Sequence, residues 1–387
     1  MDNSDLIFSY NTSTISNILM KKRVCTIKCH AHRLTATPLL RIVKSINGVA
    51  KKYDGIKPMI DLDLSGAVME DKLVYILLEN ICYATIKKKG YPIRLRLNQQ
   101  DMIQASGFKY SPLQLLCQDK TTIEENCNNY VSYYEAKLNV STTHYRRIVS
   151  KNEKVDSDIF CTIMSDVRSF LRLFYGDLKR IQEIAEVVAE LCGNAWEHSH
   201  SDCLIDLDVA NDFMRADKAD DYLYGCINIV ILNLSEQLIG DGLQKKILSA
   251  DCLDERYKTV RDAYDFHRLH FDETYTEETF WGIAAFQDKI SGRPEWGKTG
   301  GTGLPRMIRS IEKGFEGLHC YCCSGNSFII FLPSALEYSK EGWIGFNQNG
   351  EFKSGLPMPG IVGHNEFYLP GTGFNLAFVF RRDEVLA

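Results

Sequence analysis

The chain has 387 residues, of which 45% are hydrophobic and 25% are charged, and its formal net charge is -5. This length and composition are typical of a globular protein with two or three domains, and the charge favours neither a nucleic-acid partner nor an anionic membrane. The sequence has no apolar run of transmembrane length, and M-D-N-S-D-L at its start does not resemble a signal peptide. We therefore expect a cytoplasmic protein with reduced thiols.

Strand and helix patterns alternate in the first part of the chain. Alternating apolar residues predict strands, and apolar residues at three- and four-residue spacing predict helices. The predicted elements are strands at 24–29, 59–65 and 93–97 and helices at 38–53 and 69–88. This order predicts a small βαβ domain over residues 1–110, in which helices cover a parallel or mixed sheet.

A polar segment at residues 111–156 is predicted to connect this domain to a second α/β domain at 157–387. The second domain begins with two helices and two strands, continues through a charged insertion at about 241–299, and closes with a helix and further strands. The predicted elements are helices at 160–174, 177–198 and 304–311 and strands at 203–209, 225–234, 317–323, 327–332 and 369–380. The S-G-N sequence between the strands at 317–323 and 327–332 predicts a hairpin turn.

The helix at 177–198 carries the first candidate site. Its apolar residues recur on one face, whereas Glu190 and Asn194 project side by side from another face, four residues apart. An Asn side-chain oxygen is a suitable ligand for Mg²⁺, and a nearby Glu can orient or deprotonate an attacking water. These residues alone leave open the alternative that they are only the solvent-facing side of a packed helix.

A glycine-rich segment, W-G-K-T-G-G-T-G-L, precedes the helix at 304–311. Gly301, Thr302 and Gly303 lead into Leu304, where a loop that opens a helix exposes backbone N–H groups suited to phosphate binding. Lys298 and Arg306 add positive charge to the same region.

The sequence E-L-C-G-N-A-W-E-H-S, with Glu190 and Asn194, resembles the N-box of the histidine-kinase-like (GHKL) ATPase superfamily, and G-T-G-L resembles its G2 box. The resemblance implies a two-layer α/β sandwich that binds ATP with Mg²⁺. It assigns Asn194 to Mg²⁺, Glu190 to water activation and His198 to the nucleotide site. Lys298 and the segment 301–304 are assigned to the phosphates.

The resemblance also implies an adenine site, the G1 box, after the strand at 225–234. Asn233 stands where the family has an Asp that binds the adenine amino group, and its carbonyl oxygen can still accept that hydrogen bond. The segment Gly240–Gly242 is an alternative source of this box. Thr372, in L-P-G-T-G-F, is assigned to the phosphates or to a buried polar network, and the insertion at about 241–299 corresponds to the ATP lid.

The first domain resembles STAS-like regulatory domains, in which a Ser or Thr after a strand can be phosphorylated. Ser65, in D-L-S-G, stands in that place. A Ser before a Gly is also common in a strand-to-helix turn, so a purely structural role remains an alternative.

Three functions follow from these resemblances. The first is slow Mg²⁺-dependent ATP hydrolysis, coupled through lid closure to a protein partner or to self-association. The second is a serine/threonine kinase of the anti-sigma type that acts on a STAS-like domain, with Ser65 of this chain as a candidate acceptor. The third is an interaction protein that senses nucleotide without turnover. The combination implies a bacterial regulatory or defence setting.

Overall fold

The structure is a computed structural model, and it describes residues 1–12, 18–97, 105–119, 121–152, 158–199, 201–213, 222–249, 255–290, 303–312 and 317–381. Over these residues the chain is a mixed α/β protein with two compact units. The first unit comprises Met1–Ile148, Asp206–Asp208 and Glu366–Tyr368, and the second comprises the remaining segments. Residues 111–148, for which we predicted a connecting segment, belong to the first unit.

The first unit contains four α-helices and six strands among its described residues. The helices are α1 (Leu6–Tyr10), α2 (Ala36–Lys52), α3 (Lys72–Tyr83, continued by a π-helical turn at Ala84–Lys88) and α4 (Ile123–Glu135). The strands are β1 (Met20–Lys21), β2 (Val24–Lys28), β3 (Met59–Asp63), β4 (Ile93–Arg96), β5 (Leu138–Ser141) and β6 (His144–Val149). Helix α3 begins three residues later than predicted, because Asp71 caps it by accepting a hydrogen bond from the Val74 N–H at 3.1 Å.

The first four strands form a sheet in the order β1-β2-β3-β4. Strands β2, β3 and β4 are parallel, and β1 is antiparallel to β2. The apolar residues at alternate positions of β2, β3 and β4 are buried: Cys25, Ile27, Ile60, Leu62, Ile93 and Leu95. Helix α2 packs on β2 and on α3, so both crossover helices lie on one face of this sheet.

A cluster of buried charges lies elsewhere in the first unit, between α3, β6 and the segment Asp206–Asp208. The Lys72 ammonium lies 2.7 Å from Asp206 and also contacts Asp208, and all three side chains are less than 5% exposed. Arg146 donates from Nη1 to Glu79 at 2.8 Å and to Asp206 at 2.9 Å. We call Lys72, Glu79, Arg146, Asp206 and Asp208 the buried charge cluster.

Two groups of the cluster, Asp206 and Lys72, are held in their charged forms in spite of burial. Burial opposes ionisation of Asp206, but Lys72, His144 and Arg146 outweigh it and keep the pKa of this carboxyl well below its ordinary value. Burial likewise disfavours the charged Lys72, yet Asp206, Tyr75 and Asp208 raise its pKa well above the ordinary value. These groups therefore depend on one another for their charge.

One glycine is required at the edge of this cluster. Gly107 has φ +78°, which L side chains rarely adopt, and a Cβ there would overlap the Asp208 carboxylate. We expect Gly107→Ala to lower the free energy of unfolding by about 2 to 4 kcal/mol, because it adds backbone strain and displaces a buried carboxylate. Gly55→Ala is the control, since a Cβ at Gly55 meets no atom within 4 Å. Urea unfolding of both variants measures the difference, and equal stability of the two would contradict this role of Gly107.

Ser65 follows β3 in the first unit. Its hydroxyl donates to the Asp63 carboxylate at 2.6 Å, and its backbone N–H donates to the same oxygen at 3.1 Å. These bonds to Ser65, the first of them outweighing the effect of burial, hold the pKa of Asp63 below its ordinary value. The segment is therefore a hydrogen-bonded turn with a half-buried serine.

The second unit takes up the rest of the described elements. Its helices are α5 (Asp158–Leu171), α6 (Leu178–Ser199), α7 (Asp241–Ser249), α8 (Glu255–His267), α9 (Glu277–Ala284) and α10 (Gly303–Glu312). Its strands are β7 (Cys203–Phe213), β8 (Tyr224–Asn233), β9 (Gly317–Leu318), β10 (Tyr321–Ile330) and β11 (Val362–Arg381), apart from the residues of β7 and β11 assigned to the first unit. The main strands run in the order β10-β11-β8-β7, with β11 antiparallel to both neighbours.

The predicted hairpin at S-G-N is wrong. Ser324, Gly325 and Asn326 lie inside one continuous strand, β10, whose pairing with β11 shifts register at Gly325. Glu278 of α9 accepts hydrogen bonds from the N–H groups of Asn326 and Ser327 at 2.7 and 2.8 Å, which stabilises a bulge instead of a turn. Strand β11 also begins earlier than predicted, at Val362, because it pairs with the far end of β10.

The described residues contain neither a membrane-spanning helix nor a cluster of metal-binding side chains. No described helix has the length and apolar character needed to cross a bilayer. The three cysteines Cys320, Cys322 and Cys323 lie in or beside β10, and the described residues include no metal-binding group of three or more His, Cys, Asp or Glu side chains.

Candidate nucleotide site

The predicted N-box helix forms the floor of a cavity in the second unit. Helix α6 packs against α5 and α10, and its predicted apolar residues Ile181, Ile184, Val188, Leu191 and Ala195 are buried. The cavity has a volume of about 440 Å³, within the usual range for small-molecule sites. Its lining residues are Phe160, Cys161, Met164, Glu186, Ala189, Glu190, Gly193, Asn194 and Arg306.

Glu190 and Asn194 both line this cavity from adjacent turns of α6. The Glu190 side chain is 40% exposed, and the Asn194 residue is half-buried. Arg306 of α10 places Nη1 3.6 Å from the Glu190 carboxylate, and its side chain is 54% exposed. Two carboxylates, from Glu186 and Glu190, one carboxamide and one guanidinium therefore line a single opening.

Helix α10 begins at Gly303, directly after the glycine-rich segment. Leu304 is half-buried in its first turn, and Arg306 reaches the cavity from the same turn. The first N–H groups of a helix have no intrahelical acceptors and favour an anion. Lys298, Gly301 and Thr302 lie outside the residues that the structure describes, as does the side chain of His198.

Asn233 and Thr372 lie elsewhere. They are direct neighbours on β8 and β11, and Ser324 is the neighbour of Thr372 on β10. The Thr372 and Ser324 hydroxyls are 3.1 Å apart, and Asn233 Nδ2 donates to the Ser201 hydroxyl at 3.4 Å. All four residues are buried. Neither Asn233 nor Thr372 lines the α6 cavity, so the structure places both in a buried polar row across the sheet.

The alternative adenine segment lies at a different cavity. Gly240 and Asp241 line a space of about 220 Å³ between α7, α9 and β10. Asp241 accepts a hydrogen bond from the Leu238 N–H at 2.9 Å, and Gly240 lies against the Trp281 backbone so closely that a Cβ would overlap it. These two residues therefore serve the turn before α7 and its packing on α9.

Comparison with protein families, curated proteins and solved structures found no match to the chain.

The donor set at the α6 cavity suits Mg²⁺. Asn194 and Glu190 supply oxygen atoms, and Mg²⁺ is commonly held by one or two protein oxygens while waters and phosphate oxygens complete its octahedron. Arg306 supplies a cation for a phosphate group, and its planar guanidinium suits a bidentate contact. The cavity walls from α5, Phe160, Cys161 and Met164, are largely apolar.

Sequence reasoning missed these α5 residues. The amphipathic pattern of 160–174 predicted a helix, but a period of 3.6 residues does not tell which side chains face a neighbouring helix and which face a cavity. The sequence indicates Arg306 only as an additional positive charge near the glycine-rich segment. Its pairing with Glu190 depends on how α10 packs against α6.

Proposed function

We propose that the second unit binds ATP with Mg²⁺ in the α6 cavity and hydrolyses it slowly. The observation that carries this proposal is the meeting of Glu190 and Asn194 with Arg306 and the start of α10 at one cavity. The glycine-rich segment, the N-box-like segment and the order of helices and strands in this unit support a sandwich of the histidine-kinase-like type.

In the proposed mechanism each residue has one task. Asn194 would hold Mg²⁺ through its side-chain oxygen, and a bound Mg²⁺ would supply positive charge next to the phosphate groups. The amino-terminal N–H groups of α10 and the Arg306 guanidinium bind phosphate oxygens. Phe160 and Met164 give an apolar wall that excludes bulk water from the base and sugar side.

Glu190 is proposed to orient the attacking water and accept its proton. Its carboxylate is paired with Arg306 in the structure. A phosphate competes for Arg306, so binding of the nucleotide releases Glu190 from this pair. The nucleotide phosphate thus replaces Glu190 as the partner of Arg306, and nucleotide binding thereby frees Glu190 to act as the base.

A second candidate is nucleotide sensing without turnover, and the same ion pair favours it. If Arg306 keeps its contact with Glu190 when nucleotide is bound, the carboxylate is not available as a base. Binding then changes contacts with a protein partner or a second copy without hydrolysis.

Glu190→Gln separates these candidates. We expect the variant to bind Mg²⁺ and ATP with an affinity within a few-fold of the unaltered chain, and to release phosphate about 10² to 10⁴ times more slowly, because the amide cannot accept a proton. Phosphate release and calorimetric binding are measured together. Glu183→Gln, on the same helix but outside the cavity lining, is the control.

Three results would redirect the proposal. Unchanged phosphate release in Glu190→Gln would remove Glu190 from catalysis. Tight binding without release in the unaltered chain would select sensing. Labelled phosphate that stays on the chain and is lost in Ser65→Ala would select the kinase alternative.

A further inference from the structure

One face of the parallel sheet in the first unit carries exposed side chains. Both crossover helices, α2 and α3, lie on the side where the apolar residues of β2, β3 and β4 are buried. Parallel strands normally have both faces covered. On the other face Thr26, Lys28 and Arg96 are exposed, and Arg94 is partly exposed.

The residues on this face form two rows across the strands. Thr26, Asp61 and Arg94 are register neighbours, and so are Lys28, Asp63 and Arg96. The rows are two residues apart along the strands, which corresponds to about 6.6 Å. We call these two rows the open face.

Two arginines on the open face are fixed in place. The Asp61 carboxylate is 1% exposed and accepts from Arg94 Nε at 2.8 Å and from Arg96 Nε at 3.0 Å, and Arg96 Nη2 contacts it as well. The Arg94 and Arg96 side chains remain 35% and 50% exposed. Because Asp61 holds both guanidiniums against the sheet, little side-chain entropy is lost when an anion binds them.

Exposed basic residues at the end of β1 and in the turn before β2 add to the positive charge of the open face. Lys21, Lys22 and Arg23 are all exposed, and Lys21 is the register neighbour of Val24. With the open face they give six basic side chains and two carboxylates, one of which is buried beneath the arginines. The local charge is therefore positive although the whole chain is negative.

We propose that the open face binds a single-stranded nucleic acid through its phosphates. Arg94 in the first row and Arg96 in the second lie two residues apart on β4, a spacing of about 6.6 Å that suits successive phosphates of an extended strand. Lys28 lies in the second row, and Lys21, Lys22 and Arg23 add basic side chains next to the start of β2. The half-buried aliphatic side chains of Val24 and Met59, which are register neighbours two residues before Thr26 and Asp61, give the bases an apolar surface. Binding of this kind is electrostatic and independent of base sequence.

The test is fluorescence anisotropy of a short labelled homopolymeric single strand with the full chain, over a range of salt concentrations. We expect measurable binding at low salt, with a log–log salt slope of about -0.7 for each phosphate contacted. Lys28→Glu is expected to weaken binding by about tenfold or more, because it places a repelling charge in the second row. Lys44→Glu, an exposed lysine on α2, makes the same charge change on the helix-covered side and is expected to have little effect.

Any of three outcomes would overturn the proposal. The first is no binding at low salt. The second is an equal loss in Lys28→Glu and Lys44→Glu, which would mean that only the overall charge matters. The third is displacement of the strand by polyglutamate as readily as by unlabelled oligonucleotide, which would mean that the open face takes an acidic protein. Circular dichroism of both variants confirms that each is folded.

Discussion

Asn194→Ala is expected to weaken Mg²⁺-dependent ATP binding by about 100-fold, because it removes the only carboxamide oxygen among the described residues that line the cavity. Without the metal, the negative charge of the triphosphate faces the Glu190 carboxylate, and this repulsion weakens ATP binding further. Binding measured without Mg²⁺ is expected to be weak in the unaltered chain and little changed in the variant. Isothermal calorimetry with and without Mg²⁺ measures both effects.

The control for Asn194→Ala is Asn152→Ala. Asn152 is exposed in the same unit and does not line the cavity. The Asn152→Ala variant should bind nucleotide with the same affinity as the unaltered chain. Equal affinity of Asn194→Ala and Asn152→Ala for Mg²⁺ and ATP would show that Asn194 does not hold the metal.

Arg146→Met is expected to lower the free energy of unfolding by about 3 to 5 kcal/mol. The change leaves Glu79, Asp206 and Asp208 in the core with Lys72 as the remaining cation of the buried charge cluster. Burial already raises the pKa of Glu79 against the opposing effect of Arg146, so this carboxyl takes up a proton when the guanidinium is removed. Urea unfolding, followed by circular dichroism, measures the loss.

Arg147→Met is the matched control for Arg146→Met. Arg147 is the next residue of β6, and it is half-buried where Arg146 is 1% exposed. We expect its substitution to cost about 1 kcal/mol or less. Adding Glu79→Gln to Arg146→Met should recover part of the stability, because a neutral amide avoids the cost of protonating the unpaired Glu79 carboxyl. A loss as large in Arg147→Met as in Arg146→Met would contradict the importance of the cluster.

Local sequence patterns predicted those parts of the fold that depend on periodicity. The apolar repeat of α6 identified its buried face, and alternation identified β2, β3 and β4. The S-G-N segment was mispredicted because the residue that decides its conformation, Glu278, lies far away in sequence on α9. Turn propensity depends only on neighbouring residues and so takes no account of a partner that is distant in sequence.

The buried charge cluster likewise cannot be predicted from local sequence patterns. Lys72 and Glu79 are seven residues apart and so lie on one face of α3, which is a weak sign of a shared environment. Their partners come from residues 144–146 and 206–208, and only the folded chain brings them together. At the candidate site, the sequence pointed to Glu190 and Asn194, whereas the pairing of Glu190 with Arg306 required the packing of α10 on α6.

Hydrogen–deuterium exchange with Mg²⁺ and ATP tests the central claim most directly, because it reports where the nucleotide binds. The account predicts slower exchange at residues 160–164, 186–194 and 303–309, which form the α6 cavity and its rim. It predicts no comparable change at residues 238–244 and 277–282, which line the cavity between α7 and α9. Unchanged exchange around α6, or protection only at the second cavity, would contradict the proposed site.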